Sequence, residues 1–600
     1  MLCVVKTISN PDIAKLLRHV AVAYAIKNEG KYRFQIIAYQ KAADAIEGST
    51  EELKDLYKEG KLNRIPGVGP SIQQHLEELF KTGKVKHFTW VFSDIPKAAF
   101  PLLDVPSFGP KKAYKLVKEF HLANPETVLN DIEKIAKQGK IRVLEGFGEK
   151  SESDIIRAIS EFRTGSGKTT RMVLPFAYEL AEKVVAHLKK LNAVKEAVPL
   201  GSLRRMKSTI GDIDIAVSSN DPKTVLAHFV LFPNIERVIE KGDVGASILT
   251  SGGKQVDLLV QPPKAFGSLL QHFTGSKHHN VHLRELALKK DMSLSERGIK
   301  NLTSKSQEIK PFETEESFYK ALGMDWIPPE LREDTGEIEA AIAHKLPKLV
   351  ELKDIKGDLH IHSSFPIEPS HDMGKDSMEE MLKKGQGLAY EYLGFSEHNP
   401  SLSKHTGKQI YDLLARRKEK IEKLNQTFKT IKAIGIMETD ILPNGKLALG
   451  DKSLELLDGT LVSIHSSFSM NKEDMTKRII EGLSHPKARI LTHPTGRLLN
   501  ERPGYEIDFE KVFDFAKKHN KAIEINAWPS RLDLPDIMVR EAIKYGVKLV
   551  INTDAHALWQ MDMMRFGVSV ARRGWAEKKD ILNTLGYQNF VQWLKGGEKK

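Results

Sequence analysis

The stretch "LGSLRRMKSTIGDIDIAVSS" spans residues 200–219, and its reading decides the middle of the chain. In "GDIDIAV" acidic and apolar residues alternate, which predicts a strand with Asp212 and Asp214 on one face and Ile213, Ile215 and Val217 on the other. Two carboxylates on one strand face repel unless a cation lies between them, so a divalent metal is their natural partner. Asp257 in "KQVDLLV" (254–260) supplies a third carboxylate if its strand lies alongside. Just upstream, Gly201 offers a backbone amide, Ser202 a hydroxyl and Arg205 a charge to a phosphate. A lone Asp-x-Asp would be an edge strand with solvated aspartates; the rest of the chain argues for more.

Six hundred residues exceed one core, so three or more domains are expected. With 40% hydrophobic and 28% charged residues and a mean hydropathy of −0.34, the composition is that of a soluble globular protein. No apolar run is long enough for a membrane span, and "MLCVVKTISNPD" lacks the pattern of a signal peptide. A single cysteine, Cys3, excludes internal disulfides and cysteine metal cages and fits a reducing cytoplasm. The net charge of +12 is spread over both halves and permits nucleic-acid binding without demanding it.

Up to about residue 165 the pattern is short amphipathic helices broken by turns. Three segments repeat the form apolar-x-Gly-x-Gly before a helix: "IPGVGPSIQQHL" (65–76), "VPSFGPKKAYKL" (105–116) and "LEGFGEKSESDI" (144–155). Their glycines, Gly67, Gly69, Gly109, Gly146 and Gly148, allow tight turns, and the N–H groups at the following helix start can hold a phosphate. They resemble helix-hairpin-helix motifs, which grip the DNA backbone without reading sequence. The second has Ser107 where the first glycine is expected.

The run Gly-Ser, Arg-Arg, Gly-Asp-x-Asp and a later Val-Asp resembles the nucleotidyltransferase palm. "FTGSKHHNVHLR" (273–284) is similar to the nucleotide-binding stretch of family X DNA polymerases, relatives of DNA polymerase β, and "YRFQIIAYQKAADAI" (32–46) to their amino-terminal domain. The resemblance covers nearly all of residues 10–330. It implies that Asp212, Asp214 and Asp257 hold two Mg²⁺ or Mn²⁺ ions for two-metal nucleotidyl transfer. It also implies that Gly201, Ser202 and Arg205 meet the triphosphate, Phe273 and Gly275 the sugar, Asn280 the base and Arg284 the template side. His272 stands where the family often has tyrosine, which bears on sugar discrimination. His75 stands where lyase-active relatives carry a Schiff-base lysine, so weak or absent deoxyribose-phosphate lyase activity is expected through it.

After residue 357, apolar runs ending in histidine-bearing turns alternate with helical stretches: "YLGFSEH", "TIKAIGIMETD", "DGTLVSIHSS", "ARILTHPTG", "KAIEINA" and "VKLVINTDAH". This alternation predicts repeated βα units closing into a barrel, with chemistry at the C-terminal strand ends. There lie His360, His362, His398, Glu438, His465, His493, Asp554 and His556, a set suited to Zn, Mn or Fe. The set resembles the polymerase and histidinol phosphatase (PHP) domain, a distorted (β/α)₇ barrel that holds up to three Mn²⁺, Zn²⁺ or Fe ions. The family has an acidic ligand shortly after the first two histidines. Reading "FPIEP" as an insertion nominates Asp372, with Glu368 and His371 as alternatives.

The expected organisation is multidomain. All-α helix-hairpin-helix regions occupy 1–90 (an 8-kDa-like domain) and 91–168 (fingers-like). An α+β palm follows at 169–265, a thumb at 266–321, a linker at 322–356 and the PHP barrel at 357–600. The resemblance implies a monomeric, cytoplasmic repair enzyme acting on gapped or primer-template DNA and dNTPs. It would pair gap filling with metal-dependent 3′-5′ exonuclease or 3′-end processing. The rival reading is a phosphatase of a small phosphomonoester joined to a non-catalytic DNA-binding scaffold.

Overall fold

The computed structural model describes all residues except 1–9, 48–52, 59, 61, 63–67, 104, 106–107, 164–170, 234, 252, 305–307, 503 and 597–600. Cys3, Gly67 and Ser107 therefore lie outside the described residues. The chain divides into two compact units. One is Met1–Thr170 with Val230–Lys241 and Ala246–Val256; the other is Arg171–Phe229, Gly242–Gly245 and Asp257–Lys600. No described helix is long and apolar enough to cross a membrane.

Through residue 163 the first unit is helical and carries two separate cores. Helices Asn10–Asn28, Arg33–Glu47, Pro70–Thr82 and Lys86–Val91 bury Leu17, Ala21, Ala42, Ile46, Leu76 and Phe88 in one cluster. Helices Pro110–Glu119, Val128–Lys137 and Glu149–Arg163 bury Leu116, Val117, Ile132 and Ile159 in another. Each uses the apolar stripe of an amphipathic helix. Gly69 and Gly109 cap the starts of Pro70–Thr82 and Pro110–Glu119, each with proline as the first helical residue. Both have ordinary negative φ, so backbone freedom is not why they are glycine. A Cβ at either would meet nothing within 4 Å, which leaves bare backbone at two helix starts.

Strands Glu196–Pro199, Ile213–Ser218 and Gln255–Gln261 are neighbours in that order, the first pair antiparallel. Ile213, Ile215 and Val217 are fully buried, as the alternation predicts, while Asp214 is half-buried and Asp212 exposed. Helices Phe266–Thr274 and Lys277–Leu288 follow. One core cluster joins Leu283, Ile299 and Phe318 to Leu322, Ile327, Leu331, Ile338 and Leu349, so it continues through the stretch expected as a linker.

From Gly357 the chain alternates parallel strands and helices. Strands Gly357–Ile361, Tyr392–Phe395 and Lys432–Gly435 form one parallel sheet. Glu438–Asp440, Thr460–Ser463, Ala488–Leu491, Ala522–Asn526 and Lys548–Asn552 form a second. The expected closed ring is thus present as two open sheets. The ladder breaks at the turns that carry the candidate ligands. Ile436 and Met437 separate Lys432–Gly435 from Glu438–Asp440, and only single parallel bridges, Ile361 to Ala555 and His398 to Glu438, span the gaps. Leu359, Ile434, Ile436, Leu461, Ile490 and Val550 pack into a core with the C-terminal Phe590 and Trp593.

Two candidate metal centres

Asp212, Asp214 and Asp257 bring carboxylate oxygens within 4.8 Å of one another. The strand pairing does this, since Ile213–Ser218 and Gln255–Gln261 are neighbours. Burial, with repulsion from Asp212 and Asp257 added, pushes the Asp214 carboxyl up to about 6. Carboxylates crowded together in this way fit a divalent cation. Metal needs the carboxylate form, so a proton competes below about pH 6 and affinity rises as pH climbs through that value. Calorimetric Mg²⁺ titration a unit either side of that pH tests this. Tighter binding is expected on the alkaline side, and proton release on the acid side.

Gly201 opens the short helix Gly201–Arg204 with φ 57°, and a Cβ there would stand 3.1 Å from Asp214 Oδ2. The positive φ favours glycine beside the aspartates, and a side chain there would press on Asp214. Ser202 is half-buried in the same turn. Arg205 donates Nε to Glu333 Oε1 (3.0 Å) and Nη1 to Thr274 O, and Nη1 lies 3.0 Å from a Cβ built on Gly275. Asn280 donates to His272 O (2.7 Å), and Arg284 Nη2 stands 3.5 Å from His272 Nδ1. Burial, then Arg284, lowers the His272 pKa and keeps its ring neutral. Phe273, next to it, is 38% exposed. The structure thus gathers Arg205 with Gly275, and Asn280 with His272 and Arg284.

In the first unit, Gly146 has φ 82° in the third turn, and Lys112 lies over the rings of Phe108 and Phe147. His75 bonds Tyr39 Oη through Nδ1 (2.7 Å) and stacks on His87 with ring centres 5.0 Å apart. Burial, then His87, lowers its pKa. Lacking a primary amine, this site is expected to give no borohydride-trapped cross-link to abasic DNA above background. A strong cross-link mapping to residues 10–91 would contradict that.

The second centre surrounds Glu438, which is 1% exposed. Its Oε2 lies 3.3 Å from His360 Nε2, 3.6 Å from His362 Nε2 and 2.8 Å from His398 Nδ1. Its Oε1 lies 3.4 Å from His465 Nε2 and 2.9 Å from His493 Nε2. Asp554 Oδ1 is 3.3 Å from Nε2 of both His360 and His362. His362 and His556 stack with ring centres 4.0 Å apart. Burial, then His556 and His398, pushes His362 well down, into the neutral form that ligates metal.

The donor set itself tests the fit. Twelve buried side-chain polar atoms among the described residues lack a hydrogen bond, and seven of them are here: His360 Nε2, both nitrogens of His362, His398 Nδ1, Glu438 Oε2, His493 Nδ1 and His556 Nε2. His398 Nδ1 is near Glu438 Oε2 but out of line for a hydrogen bond. Buried polar atoms are otherwise almost always satisfied, and imidazole with carboxylate suits a divalent transition metal.

The open choice after His362 resolves geometrically into three different neighbourhoods. Asp372 Oδ1 lies 3.5 Å from His398 Nε2 and 3.8 Å from His556 Nε2. His371 lies 3.4 Å from Asp440 Oδ2, beside His465. Glu368 is turned to His405. Two residues after Asp372, a Cβ on Gly374 would fall 1.8 Å from His362 O, so glycine lets this loop lie against the first ligand strand.

Two groups escaped the sequence reading. Asp440 receives His465 Nδ1 (2.7 Å); two residues after Glu438, it is half-buried on the same strand face, and strand period was the one signal that could have found it. Glu524 receives His360 Nδ1 (2.8 Å), His493 N (2.7 Å) and Asn552 Nδ2 (2.9 Å). Such carboxylates fix the tautomer of a ligating imidazole. Glu524→Gln is expected to lower bound metal or nuclease rate about 10- to 100-fold, measured by elemental analysis and strand degradation.

Residues 269–333 match the family model "DNA polymerase beta thumb", and residues 8–85 the "helix-hairpin-helix domain" model. The "DNA polymerase/3′-5′ exonuclease PolX" of Bacillus subtilis (strain 168) is 34% identical over 587 residues, covering 97% of this chain and 99% of that protein. The chain belongs to the PolX family of DNA polymerase/3′-5′ exonucleases. Rat DNA polymerase lambda is 24% identical over 54% of the chain and 56% of its own length. A "probable phosphatase" of Thermoanaerobacter sp. (strain X514) is 27% identical over 40% of the chain and 96% of its own length. The PolX family uses divalent metal, in keeping with the two acidic and histidine-rich clusters.

Proposed function

We propose that this PolX protein fills short gaps in DNA at the aspartate centre and trims or cleans 3′ ends at the histidine centre. The observation that carries the reading is the pair of separate donor sets in one chain: three clustered aspartates, and a buried group of unsatisfied imidazoles around Glu438. The domain partition proposed is that of residues 1–90, 91–168, 169–265, 266–321, 322–356 and 357–600. The last is read as a distorted (β/α)₇ barrel, supported by the single bridges that span both gaps between its two sheets.

At the first centre, Asp212, Asp214 and Asp257 would hold two Mg²⁺ or Mn²⁺ ions. Bound there, such ions supply activation of the primer 3′-hydroxyl and neutralisation of charge on the departing pyrophosphate. Ser202, Gly201 and Arg205 hold the triphosphate, Phe273 and Gly275 lie by the sugar, Asn280 by the base and Arg284 by the template. At the second centre, His360, His362, Asp372, His398, Glu438, His465, His493, Asp554 and His556 would hold up to three Mn²⁺, Zn²⁺ or Fe ions, which supply water activation for phosphodiester hydrolysis. Glu524 and Asp440 orient His360 and His465. Gly69, Gly109, Gly146 and Gly148 present backbone amides to DNA phosphates, and Gly67 belongs to the same turn in sequence.

The rival reading, a small-molecule phosphatase on an inert scaffold, is separated by one assay. On a gapped duplex with dNTPs and Mg²⁺, the protein is expected to extend the primer until the gap closes. A protein that hydrolyses small phosphomonoesters but extends no primer would support the rival.

A further inference from the structure

We infer that Arg573, in the C-terminal phosphoesterase region, is a positioning residue for Arg205, so that this region sets the dNTP affinity of the polymerase site. The inference rests on the reading of Arg205 as a triphosphate contact. Arg573 ends the helix Met564–Arg573 and is 8% exposed. Its Nε and Nη2 grip Asp536 Oδ2 at 2.8 and 2.5 Å, which fixes the plane of the guanidinium. The remaining nitrogen, Nη1, donates to the backbone oxygen of Arg205 (2.7 Å) and to Glu333 Oε1 (3.1 Å).

Glu333 Oε1 is also the atom that receives Arg205 Nε. Arg573 therefore holds Arg205 twice, once by its main chain and once through the carboxylate that orients its side chain. Burial opposes the charge on Glu333, yet Arg573 and then Arg205 hold its carboxyl below the usual range, so the ion is maintained. With Nε on Glu333 and Nη1 on Thr274 O, the Arg205 guanidinium is fixed in plane, and among the described residues Nη2 makes no hydrogen bond. A preset planar fork with one free edge is the form that recognises a phosphate at low ordering cost.

Neighbouring contacts lack this reach. Arg572 pairs with Glu330 (2.7 Å) and Arg540 with Thr335 (3.0 Å), and neither touches Arg205. Without Arg573, Glu333 keeps, among the described residues, the cations Arg205 and, at 3.9 Å, Lys207, while the Arg205 carbonyl loses the Arg573 donor. A misplaced phosphate contact reads out in nucleotide affinity, since the metal-holding aspartates are untouched.

The test is single-nucleotide insertion on a gapped duplex by the full-length protein with Mg²⁺, varying dNTP. Arg573→Ala is expected to raise the dNTP KM about tenfold or more with kcat within about twofold, and to leave 3′-end degradation unchanged. Arg573→Lys, which keeps the charge but loses the fork, should fall between. If Arg573→Ala does not fold, Asp536→Asn, which frees the guanidinium without removing it, should raise KM in the same sense. An unchanged KM in the folded variant overturns the inference. Arg205→Ala separates the two claims. If it leaves KM unchanged, the nucleotide reading of Arg205 fails. If it raises KM while Arg573→Ala does not, the positioning claim alone fails.

Discussion

Replacing both Asp212 and Asp214 with alanine is expected to abolish primer extension, by about 10³-fold or more in kcat, while 3′-end degradation continues at the wild-type rate. The two side chains are neighbours in strand period and lie within 4.8 Å of Asp257 at their oxygens. Removing them deletes the anionic donors that a divalent ion needs, and several kcal/mol of charge stabilisation with it. The expected loss falls on kcat and on metal affinity, because the residues offered to the triphosphate remain. Strand folding should survive, since Ile213, Ile215 and Val217 supply the buried face. Gel-resolved extension of a labelled primer and the unchanged thermal midpoint check both halves of the claim.

The second large effect is expected at Glu438. Glu438→Gln should reduce 3′-end degradation by about 10³-fold and lower bound metal, with polymerase activity unchanged. Four imidazole nitrogens, those of His360, His398, His465 and His493, lie within 3.4 Å of its two oxygens, and no other carboxylate in the centre reaches so many. An amide keeps the shape but presents an NH₂ to buried imidazoles that need a negative partner. That leaves unsatisfied polar groups and weakens any shared ion. Elemental analysis before and after the substitution measures the metal directly.

Much of this was legible because ligand spacing and strand period coincide. Asp212/Asp214 and His360/His362 each sit two residues apart at a strand end, so their shared face followed from strand period; both histidines are buried, while Asp214 is half-buried and Asp212 exposed. The alternation of apolar runs and helical stretches likewise pointed to parallel strands from 357 onward. Other features depend on long-range packing that no local pattern encodes. Glu524 lies 164 residues from His360, and only the parallel neighbours Ala522–Asn526 and Lys548–Asn552 bring it there. The tie from Arg573 to Arg205 crosses 368 residues. The break of the ring into two sheets falls at the ligand turns, where single bridges, Ile361 to Ala555 and His398 to Glu438, replace a continuous ladder, and hydropathy does not report such breaks in pairing.

The most direct test is a single reaction containing a 5′-labelled gapped duplex, dNTPs and Mg²⁺ with Mn²⁺, run with wild type, Asp212→Ala/Asp214→Ala and His360→Ala/His362→Ala. The account predicts that the aspartate variant shortens the primer without extending it, and that the histidine variant extends it without shortening it. If both variants lost both activities, or neither lost any, the claim of two independent metal centres in one chain would be contradicted.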